Sequence, residues 1–174
     1  MAKAIFLDRD GTIVEDKGYT HKVSDFRLLK NSVNGLKMLK GYSIFIVTNQ
    51  SGIGRGYYSL NDFNEFNDSM AKELEKSGIK IKKIYYCPHH PEDKCSCRKP
   101  KIKMLKDAEK EFGAELKKSY VIGDMKKDVE MGKKAGCKTI IIKGKNDSWR
   151  QANADFAAID LKEAAKWILK NDKE

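Results

Sequence analysis

Short apolar runs, rich in Ile, Val and Phe, alternate along this chain with stretches that have helical spacing. The runs Ala4–Leu7, Ser43–Val47, Ile84–Cys87, Tyr120–Ile122 and Thr139–Ile142 read as buried strands, with a weaker one at Phe156–Ile159. Helices are expected over Val33–Lys40, Leu60–Lys76, Ile102–Phe112, Lys126–Lys134 and Leu161–Leu169. Ser59 and Asp62 have the spacing of a capping box at the start of the second helix. Such alternation calls for parallel strands, because a helical crossover returns the chain to the same end of the sheet. The expected fold class is therefore α/β: a parallel sheet with helices on both faces. The 174 residues suffice for one domain over residues 1–174. Short connections leave room for only a minimal cap.

Four polar segments follow the first four strands. Asp8-Arg9-Asp10-Gly11-Thr12 follows the first, and Thr48-Asn49-Gln50-Ser51 the second. Arg98-Lys99-Pro100 comes after the third, and Gly123-Asp124 with Asp128 after the fourth. In open α/β sheets ligands bind at the carboxyl ends of the strands, so these groups should meet at one edge.

Together they supply what phosphoryl transfer needs. Asp8 offers a nucleophile that would form an aspartyl-phosphate. Asp10 offers a general acid and base. Asp124 completes a hard oxygen site for Mg²⁺ with Asp8 and the main-chain carbonyl of Asp10. Thr48 brings a hydroxyl to the phosphoryl oxygens, and Lys99 a positive charge beside Asp8. Asp128 reads as a helix cap or a brace for Lys99, outside the metal's ligands. The set resembles the haloacid dehalogenase superfamily of phosphatases, through Phe6 to Thr12, Val47-Thr48-Asn49, Lys99-Pro100 and Ile122-Gly123-Asp124 with Asp128. The resemblance implies a Rossmann-like core and Mg²⁺-dependent hydrolysis of phosphate monoesters.

The segment Cys87-Pro88-His89-His90-Pro91-Glu92-Asp93-Lys94-Cys95-Ser96-Cys97 is a second signal. Three Cys and one His make the ligand set of a closed structural Zn²⁺ site. Cys87, His89, Cys95 and Cys97 are the expected ligands, with His90 an alternative to His89. Such a site orders the loop that delivers Arg98 and Lys99. Cys137 stands apart and reads as a small core residue.

The formal net charge is +10, with Lys scattered along the chain and no long basic block. Solvated Lys on helix faces accounts for most of it. Arg9, Arg55 and Arg98 fall inside the motif segments, where a bidentate donor suits phosphate. The N-terminus lacks the layout of a signal peptide, and clustered Cys fit a reducing compartment. A cytoplasmic location is expected.

The zinc loop narrows the resemblance. Cys-x-His with Cys-x-Cys-Arg-Lys-Pro is similar to the family holding D-glycero-D-manno-heptose 1,7-bisphosphate phosphatases and histidinol-phosphate phosphatases. Asp16-Lys17-Gly18-Tyr19, Thr48 to Gly56 and Tyr85 to Pro91 also resemble the heptose members. That likeness implies substrate contacts from Asp16, Lys17, Gly18, Tyr19, Thr48, Asn49, Gln50, Ser51, Arg55, Arg98 and Lys99. It implies removal of the 7-phosphate from the bisphosphate, within nucleotide-activated heptose biosynthesis. Two departures stand out. Five residues separate the two halves of the zinc loop, closer to the histidinol-phosphate type. Met125 follows Asp124 where a basic residue is expected, with Lys126 as the nearest replacement. Histidinol phosphate, its amine facing Asp16, is the alternative substrate. A phosphatase acting on nucleic-acid ends and a non-catalytic zinc module are the other readings. The expected partner is a small phosphorylated sugar, with no nucleic acid, no membrane and a monomeric state.

Overall fold

The computed structural model describes residues 2–144 and 147–172. Six strands run β1 (Ala4–Leu7), β2 (Ser43–Asn49), β3 (Ile81–Cys87), β4 (Tyr120–Gly123), β5 (Lys138–Ile142) and β6 (Phe156–Ala158). All pairs are parallel, in the order β3-β2-β1-β4-β5-β6. The helices are α1 (Ser32–Met38), α2 (Ser51–Gly54), α3 (Leu60–Lys76), α4 (Lys103–Phe112), α5 (Lys126–Ala135) and α6 (Leu161–Asn171).

Side-chain alternation along the strands builds two main clusters, beside a small one at Val129, Ile141 and Ala152. Ile5, Leu7, Ile44, Ile46, Tyr120 and Ile122 face one layer, with Leu36, Phe66, Met70 and Leu74 from the helices. Ala4, Phe6, Phe45, Val47 and Val121 face the other, against Met104, Leu105, Ala108 and Met131. Helices therefore cover both faces, as a sheet of near-continuous apolar strands requires. Phe6 and Phe45 stack at 5.4 Å in the second layer. Truncating either buried ring to Ala costs about 3–5 kcal/mol. Helices α1 and α6 pack closely at Gly35, where a Cβ would lie 2.5 Å from the Leu161 main chain.

The strands begin and end close to where the sequence places them. β3 starts earlier, at Ile81, because Lys82 and Lys83 suit an edge strand with one open side. The Ser59–Asp62 capping box forms, with the Asp62 N–H donating to Ser59 Oγ at 3.1 Å. The turn α2 was not anticipated. The long β1–α1 and β3–α4 connections carry loops, and the described residues include no inserted cap. No helix of the described residues is long and apolar enough to cross a membrane.

Candidate active site

β1 lies between β2 and β4, so the sheet reverses its order of growth beside it. The crevice at that reversal is where doubly wound sheets bind ligands. Its wall is formed by Asp8, Asp10, Asp16, Tyr19, Thr48, Asn49, Gln50, Ser51, Tyr58, Lys99, Asp124, Met125 and Lys127.

At the centre, Lys99 Nζ lies 2.8 Å from Asp8 Oδ1 and 2.6 Å from Asp128 Oδ1. It also donates to the Val47 carbonyl at 2.9 Å. Burial alone would pull the ammonium down, yet Asp128 and Asp8 together hold it above its ordinary range. Asp128 plays both structural parts expected of it. It pairs with Lys99, and its Oδ2 accepts the Met125 N–H at 3.1 Å to cap α5.

Oxygens of Asp8, Asp124 and Asp128 lie within 4.8 Å of one another. Burial first, then repulsion from Asp8 and Asp128, pushes Asp124 up to about 8. One lysine does not offset so much negative charge, and a divalent cation would. Mg²⁺ takes hard oxygen ligands of this kind at about 2.1 Å. Gly11 lets the chain approach. Its φ is +81°, and a Cβ there would meet Asp124 Oδ2 at 2.4 Å. Asp8, Asp124 and Asp128 thus offer the hard oxygen donors that suit Mg²⁺, with Asp128 also held by Lys99.

Burial, followed by the charge of Asp8, raises Asp10 above the ordinary carboxylate range, against the pull of Arg9. The Arg9 guanidinium is fully buried and lies 4.6 Å above the Phe66 ring. The sequence marked Arg9 as a phosphate donor, but it points into the protein and grips Asp10 Oδ2 at 2.9 Å.

Asn49 and Gln50 line the crevice, and their amides are also hydrogen-bonded within the protein. Asn49 Oδ1 accepts the Lys99 N–H at 3.0 Å, and its Nδ2 donates to the Lys99 carbonyl at 3.4 Å. Gln50 Nε2 donates to Asp10 Oδ2 at 2.9 Å and to Thr48 Oγ1 at 2.8 Å. Gln50 Oε1 accepts from Tyr58 at 2.6 Å. Burial pushes the Tyr58 phenol up to about 12, which keeps it a donor.

Lys126 is the basic residue expected to serve in place of one at Met125. Lys126 points along α5 toward Glu130, at 3.8 Å, whereas Lys127 reaches the crevice wall.

Asp16 and Tyr19 join the wall, and Asp16 Oδ1 accepts the Gly18 N–H at 2.8 Å. Lys17 and Gly18 sit outside it; Lys17 pairs with Asp25 at 3.5 Å. Arg55 and Arg98 also lie outside the central wall, on the loops beside it. Each holds a buried guanidinium nitrogen, Nε and Nη1 respectively, with no hydrogen-bond partner among the described residues.

The Cys loop closes next to these arginines. Cys87 Sγ lies 3.6 Å from Cys95 Sγ and 3.5 Å from His89 Nδ1, which is 3.2 Å from Cys97 Sγ. Sulfurs bound at about 2.3 Å to one tetrahedral zinc stand about 3.8 Å apart, so the cluster is compatible with that ion. His89 is the histidine in the cluster. His90 Nδ1 instead accepts the Glu92 N–H at 3.3 Å. The loop carries α2 as well, through the Gly54 N–H and the Pro88 carbonyl at 2.8 Å. Cys137 is buried at the start of β5, away from the cluster.

Known proteins resemble this arrangement along nearly the whole chain. A HAD-hydrolase-like family model matches residues 96–164. The D-glycero-beta-D-manno-heptose-1,7-bisphosphate 7-phosphatase of Pasteurella multocida is 44% identical, over 97% of this chain and 99% of its own. The D-glycero-alpha-D-manno-heptose-1,7-bisphosphate 7-phosphatase of Campylobacter jejuni is also 44% identical, over 86% of this chain and 89% of its own. The crystal structure of D,D-heptose 1,7-bisphosphate phosphatase from B. bronchiseptica, complexed with magnesium and phosphate, superposes with a TM-score of 0.89. It is 27% identical, and the match covers 97% of this chain and 99% of that one.

Proposed function

The chain belongs to the D-glycero-D-manno-heptose-1,7-bisphosphate 7-phosphatase family of haloacid dehalogenase-like hydrolases, and on that premise we propose that it removes the 7-phosphate from such a bisphosphate. It is a phosphoric monoester hydrolase. The observation that carries the reading is the meeting of Asp8, Lys99, Thr48 and Asp124 at the carboxyl edge of one parallel sheet.

Asp8 attacks phosphorus and becomes the aspartyl-phosphate. Lys99, 2.8 Å away, sets a positive charge beside the attacking carboxylate and stays in place through Asp128 and the Val47 carbonyl. Asp10, raised by its burial, gives its proton to the leaving alkoxide and then takes one from water. Thr48, with neighbouring N–H groups, orients the equatorial oxygens. Mg²⁺ on Asp8, Asp124 and the Asp10 carbonyl would neutralise charge on the phosphoryl group. Zn²⁺ on Cys87, His89, Cys95 and Cys97 would be structural, since four protein ligands leave no position for substrate. Arg98, Arg55 and Lys127 would hold the phosphate that stays on the sugar.

The protein is read as one cytoplasmic domain acting on a small phosphorylated sugar. The named relatives favour the heptose over histidinol phosphate, and relatives named for either anomer are equally identical. A phosphate-release panel of both heptose 1,7-bisphosphate anomers, histidinol phosphate and common sugar phosphates tests the reading. A higher kcat/KM for histidinol phosphate would overturn the substrate. Absence of release from every member would overturn the activity.

A further inference from the structure

The Asp10 carboxyl is held unevenly. Its Oδ2 accepts from Gln50 Nε2 at 2.9 Å, from Arg9 Nη2 at 2.9 Å and from Arg9 Nε at 3.2 Å. Its Oδ1 meets Arg9 Nε alone among the described residues, at 3.1 Å. Two of the Oδ2 contacts come from donors that serve only Oδ2 of the two carboxyl oxygens, whereas Oδ1 only shares the Arg9 Nε–H and so is the oxygen with room for a proton.

Gln50 is itself fixed from the opposite end. Its Oε1 accepts from Tyr58 at 2.6 Å and from Arg9 Nη2 at 3.3 Å, and its second N–H goes to Thr48. Turning the amide over would set a carbonyl against the Asp10 carboxylate and an NH₂ against the guanidinium. The partners therefore fix its orientation. Tyr58 is seated in turn by stacking on His21, with ring centroids 4.5 Å apart and planes 9° from parallel. Arg9 is anchored by the Thr20 carbonyl at 2.6 Å and Asn67 Oδ1 at 3.3 Å.

We propose that Gln50, held by Tyr58 and Arg9, is a positioning residue that turns Asp10 so that Oδ1 carries the transferable proton and is presented to the leaving oxygen. The inference rests on the phosphatase reading and deepens it. An oxygen of Asp8 bonds to phosphorus as the bond to the leaving oxygen breaks. That bond's electron pair stays on the leaving oxygen, which takes the proton from Asp10 Oδ1. In the second half, water bonds to phosphorus, gives a proton back to Asp10 and releases the Asp8 carboxylate with inorganic phosphate. A carboxyl free to rotate would offer the wrong oxygen part of the time, and misplaced groups lose rate steeply.

The test is a series of substituted phenyl phosphates, from dinitrophenyl to unsubstituted phenyl, with kcat/KM plotted against leaving-group pKa. All members share the phenyl phosphate frame, so a lost contact to that frame lowers every rate alike. A misplaced acid harms only leaving groups that need a proton. Gln50→Leu should widen the dinitrophenyl-to-phenyl ratio by about 10-fold, a fraction of the 10²–10⁴ that acid–base catalysis contributes. Tyr58→Phe keeps the stacked ring and should move the ratio the same way by about 2–4-fold, a small part of that same contribution. It carries the test alone should Gln50→Leu fail to fold. A parallel fall across the series, or an unchanged ratio, overturns the inference while leaving the phosphatase reading intact. Absence of wild-type turnover overturns both.

Discussion

Lys99 Nζ and the Asp8 carboxylate stand 2.8 Å apart across 91 residues of sequence, both withdrawn from solvent. Their contact joins stability to catalysis, because the same charge that pairs with Asp8 in the crevice also pairs with Asp128.

Lys99→Met should strip two buried carboxylates of their counter-charge at once. Breaking a buried pair by removing one partner costs about 3–5 kcal/mol. Urea unfolding should show a loss of that size, with turnover abolished. A variant as stable as the parent would show that the triad contributes little to folding.

Asp8→Asn should fold normally and lose several orders of magnitude in kcat, since an amide is nearly isosteric with the carboxylate but cannot attack phosphorus. Acid-quench trapping of labelled phosphate on the protein should succeed with the parent and fail with the variant. Near-normal kcat would sink the nucleophile's assignment.

Metal and pH should be coupled through Asp124. An unfolded Asp titrates near 3.9, while Asp124 sits at about 8 in the fold. Between those values the metal-free folded chain holds a proton that the unfolded chain lacks. This group's contribution to stability therefore falls as pH rises from about 4 to about 8. Mg²⁺ binds the ionised form, so the rise in Tm on replacing EDTA with Mg²⁺ should be larger at pH 8 than at pH 5. A gap that does not change with pH would count against Asp124 as a ligand.

Cys95→Ser should lower zinc content, measured by elemental analysis, from one ion per chain. A loss of about 3 kcal/mol would lower Tm by roughly 6–12 °C in a domain of this size. Because Cys95 lies outside the carboxylate crevice, Mg²⁺ dependence should persist. Protein purified without chelator and free of zinc would argue against the four-ligand site.

Arg98→Ala and Lys127→Ala should each lower kcat/KM for the heptose bisphosphate by about 10-fold or more, since charge-assisted contacts are worth roughly 1.5–3 kcal/mol. Aryl phosphates, which lack a second phosphate, should be affected far less. Equal losses on both substrates would place these side chains on the transferred group instead.

The sequence by itself determined the strands, the capping box, the four polar segments at strand ends and the four zinc-type ligands. These are local signals: apolar runs set strands, and spacing within a loop sets which thiols can meet. They were enough to bring Asp8, Thr48, Lys99 and Asp124 to one edge, since any parallel α/β sheet does so. Tertiary structure decided how the polar groups are shared. The sequence could not show that β1 lies between β2 and β4, because strand order depends on packing between distant segments. Nor could it show that Arg9 turns inward over Phe66 while Lys127, and not Lys126, reaches the crevice. Asn49 and Gln50 show the reason most directly. An amide donates and accepts alike, so its role is set by whichever partners surround it. Here those partners are Lys99, fifty residues away, and Asp10, forty residues away.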